Sequence, residues 1–164
     1  MEHTPPAPGE SGGILQGRAA WQQALREFLR DPGPQWSMYS EDYSDWPLGE
    51  PAVVEALRAW ALPRRRPCVR MLARSYERLM QECPRFVRWR TEFGHLLECR
   101  ELAADLPAPS EGLWLRDNGL LALPAQRERR AVRTTEASWQ ASLLGFEQAW
   151  DLAEPGFAPT ALGL

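Results

Sequence analysis

The chain contains no lysine: all 19 of its basic side chains are arginine. Arginine stays protonated in proteins, so a Schiff-base lysine, a deprotonatable lysine base and the lysine of a phosphate loop are excluded. Histidine is scarce as well, with His3 near the start and His95 further on. The three cysteines, Cys68, Cys83 and Cys99, form no C-x-x-C pair, and their odd number leaves a thiol over; they read as reduced and mostly buried. No run approaches the ~20 apolar residues of a membrane span. The first residues have neither the basic start nor the apolar core of a secretory signal. These absences point to a cytoplasmic protein without a membrane partner.

What remains is a globular composition. The chain has 164 residues, 44% of them hydrophobic and 25% charged, with a formal charge of −3. That is one domain with a substantial core, and it carries no overall excess of positive charge for coating nucleic acid.

The Pro/Gly-rich residues 1–13 have little to bury and read as a disordered leader. A single α/β domain is expected over 14–154, and a flexible tail over 155–164. Helical spacing of Trp21, Leu25, Phe28 and Leu29 predicts a first helix from Ile14 to Arg30, ended by Asp31-Pro32-Gly33-Pro34. Gln35–Ser40 reads as a strand. Pro51 opens a second helix that Pro63 stops. Cys68–Ala73 reads as an interior strand, and strand, helix, strand implies a right-handed parallel crossover. Tyr76–Phe93 reads as two helical pieces divided at Pro84, and Leu96–Leu102 as a third strand.

The organising stretch follows. Asn118-Gly119 between two apolar runs predicts a hairpin with a type I′ turn, which sets Trp114 opposite Leu123, Leu115 opposite Ala122 and Arg116 opposite Leu121. Arg129–Thr135 adds a strand. Ser138 is expected to cap a last helix whose stripe of Trp139, Leu143, Phe146, Trp150 and Ala153 docks on the sheet. The fold class is therefore α/β, a mixed sheet flanked by helices.

Candidate sites are few. Glu41, Asp42 and Asp45 follow the first strand at the carboxyl edge, where open sheets bind ligands, and could hold a hard cation; their ordinary use is to solvate a loop. His95 could act as a general base, but no nucleophile lies in sequence reach, and local hydrogen bonding is its ordinary role. His95 and Cys99 share a strand face at a spacing of four, yet two ligands do not make a zinc site, so no metal or other cofactor is expected. Arg64, Arg65 and Arg66, with Arg70, Arg74 and Arg78, form one basic cluster. Arg127, Arg129, Arg130 and Arg133 form a second. Guanidinium forks suit phosphate, and Trp60 and Trp89 could stack bases, against which Glu77, Glu82 and Glu128 supply ion-pair partners.

The order of elements resembles one half of the phospholipase D-like fold. Leu113-Trp-Leu-Arg-Asp-Asn-Gly-Leu-Leu-Ala-Leu-Pro-Ala125 is similar to the segment after that superfamily's catalytic His/Lys pair, and Phe146-Glu-Gln-Ala-Trp150 to its terminal helix. The span from about Ile14 to Glu154 resembles a small proteobacterial family of this fold. The resemblance implies a histidine nucleophile, a second histidine as acid, and lysines on the phosphate. Here Ser110-Glu111-Gly112 stand just before Leu113 and only Asp117 matches, in a position where turn chemistry is its ordinary role. The reading is a relative without catalytic residues: a binding or regulatory module for a protein or a phosphate-containing partner, and, by analogy with paired halves, a homodimer. Nucleic-acid or nucleotide binding through the arginines is one alternative, and a divergent phosphodiesterase is the other.

Overall fold

The computed structural model describes residues 13–123 and 129–159. At its centre the described residues form a sheet of eight strands in the spatial order β1 (Ile14–Gln16), β7 (Arg130–Arg133), β6 (Gly119–Leu123), β5 (Gly112–Trp114), β2 (Trp36–Ser40), β3 (Val69–Ala73), β4 (Leu97–Glu101) and β8 (Glu154–Pro155). Three parallel strands, β2 (Trp36–Ser40), β3 (Val69–Ala73) and β4 (Leu97–Glu101), are joined by crossovers. The first crossover runs through α2 (Pro51–Ala61), and the second through α3 (Glu77–Glu82) and α4 (Pro84–Glu92). Proline stands in the first turn of α2 and of α4, where its missing N–H costs no helical bond. The expected break at Pro84 is therefore a boundary between two helices.

Both faces of the parallel strands are covered, so β2 is buried at all five positions. Trp36, Met38, Val69 and Met71 point into a large core shared with α1 (Arg18–Arg30), α2, α3 and α4. Tyr39 and Leu72 point the other way, into a smaller core closed by α5 (Glu136–Leu152) through Phe146, Ala149 and Trp150. The stripe expected on the last helix is this contact. Thr135 caps α5, and Ser138 is its reciprocal partner in a capping box; the expected cap at Ser138 moves three residues back.

The first helix begins later than its spacing suggests. Ile14–Gln16 form β1 and pair antiparallel with β7 (Arg130–Arg133), because Gly17 at φ 90° turns the chain before α1 starts. The hairpin also differs. Strand β5 (Gly112–Trp114) meets β6 (Gly119–Leu123) with Trp114 opposite Gly119, and Leu115 N–H donates to Asn118 O at 2.7 Å. The turn thus centres on Arg116-Asp117, two residues before the expected type I′ turn, and neither residue has the positive φ that type requires. Gly119 serves the strand instead of the turn: a Cβ there would overlap the Leu113 carbonyl oxygen. The shift is even in the pair sum, so each side chain keeps its face.

Residues 1–12, most of the expected leader, lie outside the described residues, as do 124–128 and 160–164. Part of the expected tail belongs to the sheet. Glu154–Pro155 form β8 against β4, and Phe157 packs on the larger core, stacked 5.0 Å from Tyr76. Among the described residues no helix is long and apolar enough to cross a membrane.

Candidate functional site

The two edges of the parallel strands have opposite character. At the carboxyl edge, the chain leaves β2 through Glu41 and Asp42 and is pinned by Tyr43, which takes φ 60° and donates its buried hydroxyl to Leu72 O at 2.7 Å. Asp45 accepts from Arg129 Nε at 2.9 Å and lies 3.3 Å from Arg18. Arg129 Nη1 reaches Glu111 Oε1 at 2.6 Å, and the other Glu111 oxygen accepts from Trp46 Nε1 at 2.9 Å. The Arg129 guanidinium also covers the Trp21 ring at 4.5 Å. Burial works against its charge, but Glu111 and Asp45 outweigh burial and hold its pKa above the ordinary value.

The candidate carboxylates are taken up one by one. Burial pushes the Asp42 carboxyl up, yet hydrogen bonds from Ser44 and the charge of Arg78, 3.5 Å away, carry it below the usual range. Glu41 is exposed, and its backbone carbonyl accepts from Arg74 and Ser75 N–H. Among the described residues no three acidic, histidine or cysteine side chains converge on one point. His95 sits exposed in a 3₁₀ turn, Gly94–Leu96, ahead of β4, whereas Cys99 is buried within the strand. The expected shared strand face does not form.

The amino edge is basic and open. Arg64, Arg65 and Arg66, between α2 and β3, and Arg116, at the tip of the β5–β6 hairpin, line one wide recess with Gln35, Pro67 and Cys68. Among the described residues none of these four arginines has an acidic side chain within ion-pair distance. Arg64 lies 4.2 Å over the Trp60 ring and donates to Trp60 O, which orients it. The rest of the sequence cluster is committed elsewhere. Arg70 donates to Ser37 Oγ at 3.0 Å and pairs with Glu147 at 3.6 Å. Arg74 donates to the Ala103 and Leu106 carbonyls, and Arg78 pairs with Asp42 and Glu82. In the second cluster the half-buried Arg129 is held in its network and Arg133 pairs with Glu27 at 3.2 Å; Arg127 lies outside the described residues.

Trp60 and Trp89, the expected stacking platforms, are only 6% and 2% exposed and belong to the core. The aromatic wall at this edge comes from elsewhere. A second recess of about 490 Å³ adjoins the first, with Arg70, Glu98 and Glu147 among its polar groups; its aromatic surface comes from the half-buried Trp139, since Trp114 is only 1% exposed. Sequence spacing missed Arg116 and Trp139 because they reach this edge through a hairpin tip and a docked helix. The one local signal was an arginine interrupting the apolar hairpin run.

The comparisons with known proteins agree on the fold. The chain is similar to TrmBL2, an archaeal chromatin protein that shows a novel mode of DNA binding, with a TM-score of 0.68 at 13% identity. That match covers 92% of this chain and 56% of TrmBL2, so the chain spans little more than half of that protein's length. It is similar to Nuc of Salmonella typhimurium, a phospholipase D family member, with a TM-score of 0.53 at 12% identity over 90% of this chain and 99% of Nuc. It is similar to phosphatidylserine synthase of Haemophilus influenzae Rd KW20, with a TM-score of 0.60 at 11% identity over 91% of this chain and 39% of the synthase. These likenesses establish the phospholipase D-like α/β fold expected from the order of elements. No curated protein matches the sequence. The model of the family described as Domain of unknown function (DUF7931) matches residues 17–158, and the chain belongs to that family.

Proposed function

We propose that the chain is a non-catalytic phospholipase D-like binding module that takes a phosphate-bearing partner at the amino edge of its sheet. The observation that carries this reading is the group of Arg65, Arg66 and Arg116 on one open recess, without acidic partners among the described residues. Guanidinium groups held apart from carboxylates keep their donors available, and their planar forks match phosphate oxygens.

Two points support the absence of catalysis. No lysine exists to hold a reacting phosphate. The segment just before Leu113, which resembles the site of the superfamily's catalytic pair, offers Ser110 and Gly112, while Glu111 is tied to Arg129 and Trp46. No turnover of a chromogenic phosphodiester is expected; turnover that His95→Ala abolishes would favour the divergent phosphodiesterase instead.

The likeness to a DNA-binding chromatin protein makes a DNA strand the first probe. Fluorescence anisotropy with a short labelled single strand should give an affinity that falls with salt, with a log–log slope of about −2 to −3 for three or four phosphate contacts. Combined Arg65→Ala, Arg66→Ala and Arg116→Ala should weaken binding about tenfold or more irrespective of base sequence. Binding that ignores both salt and these substitutions overturns the reading. A homodimer belongs to the same reading by analogy with paired halves, and light scattering giving a monomer mass would remove it.

A further inference from the structure

The basic recess is one half of a larger feature. The inner recess lies between α5, the amino ends of β2, β3 and β4, and the carboxyl end of β5, and Gln35, Pro67, Cys68 and Arg116 line both compartments. The two differ in charge. In the outer one every charged group is an arginine. In the inner one the charges balance, Arg70 and Arg116 against Glu98 and Glu147; Glu147 faces Arg70 at 3.6 Å, and Glu98 accepts at 2.9 Å from Arg100, which is not part of the lining. Trp139 and Leu143 of α5 add apolar surface there. Trp139 is held in place by its Nε1, which donates to Leu115 O at 3.1 Å.

An anion entering the inner recess would find its two arginines offset by two carboxylates, whereas a flat uncharged group with N–H donors would meet aromatic surface and carboxylate acceptors. A ligand for the pair therefore has a neutral heteroaromatic end and a phosphate end. Resting on the phosphate reading above, we infer that the paired recesses are a nucleoside-phosphate site, with the base against Trp139 and the phosphate on Arg65, Arg66 and Arg116. The volume of about 490 Å³ falls within the range of small-ligand sites. A carboxylate at a base edge accepts from an exocyclic amino group, so Glu98 and Glu147 favour adenine and cytosine over uracil.

Calorimetry on the full chain, at one salt concentration, separates the possibilities. Adenosine and cytidine monophosphates should bind about tenfold or more tightly than ribose 5-phosphate, the gain of stacking one base. Uridine monophosphate should fall between them. Trp139→Ala should remove the advantage of the nucleotide while leaving ribose 5-phosphate unchanged, and the exposed Glu98→Ala, which removes no core contact, should narrow the gap between adenosine and uridine monophosphates. If nucleotides and ribose 5-phosphate bind alike, the base recess is wrong and the phosphate reading stands. If neither binds, both fail.

Discussion

Arg129 Nη1, at the entry to β7, stands 2.6 Å from Glu111 Oε1, the residue before β5, and the two side chains are only 19% and 20% exposed. Together with Asp45 and Trp46 they tie three separate segments into one polar knot at the carboxyl edge. Pairs removed from water are costly to break singly, because the partner is left buried and unsatisfied.

Arg129→Ala should therefore destabilise the fold by about 2 kcal/mol, below the full buried-pair value because both groups keep some solvent contact. Urea denaturation measures this. A double-mutant cycle with Glu111→Ala should give a coupling of about 1 kcal/mol. Additive losses would show that the pair does not act as a unit.

Gly119 tests the hairpin register. Because a Cβ there would overlap the Leu113 carbonyl oxygen, Gly119→Ala should cost about 3 kcal/mol. Gly119→Asn should fare no better, whereas asparagine would be tolerated in a type I′ turn. Gly33→Ala, at φ 80° with no atom within 4 Å, should cost only about 1 kcal/mol. Equal losses at the two glycines in thermal melts would contradict this register.

All three tyrosines, Tyr39, Tyr43 and Tyr76, are held above the ordinary phenol pKa, in each case mainly by burial. These groups are neutral when protonated, and the folded values lie above the unfolded ones. Their stabilising contribution is thus complete below about pH 10 and is lost as pH rises toward the folded values. An ultraviolet titration should show phenolate appearing together with alkaline unfolding. A smooth phenolate signal near pH 10 in the native protein would refute the burial.

The cysteines should divide sharply. Cys68 is half-buried on the wall between the two recesses, whereas Cys83 and Cys99 are 8% and 4% exposed, and burial pushes Cys99 up to about 12. One thiol should react with a bulky aromatic disulfide in the native state, and three after denaturation. A nucleoside phosphate should slow the native reaction. Mass mapping that finds Cys99 labelled first would overturn this order.

Much of the fold was legible in local chemistry. Apolar periodicity, prolines at helix starts and the Pro/Gly breaks placed β2, α2, β3, the split at Pro84 and the stripe of α5, because each depends on residues within a turn or two. The errors lie where a distant partner decides. Ile14–Gln16 continue a helical spacing, but β7 offers them a ladder. Asn118-Gly119 has the composition of a tight turn, but the close approach of Leu113 claims the glycine for the strand.

The site divides in the same way. The absence of lysine and the Arg64-Arg65-Arg66 run were fixed by composition, and with them the chemistries open to the chain. Which arginines stay available was a tertiary decision, because an exposed guanidinium is distinguished from a committed one only by what folds against it: Ser37 and Glu147 for Arg70, Ala103 and Leu106 for Arg74, Asp45 and Glu111 for Arg129. The same packing carried Arg116 and Trp139 to an edge that their sequence neighbours do not announce, since a recess belongs to the spacing between elements and no single element contains it.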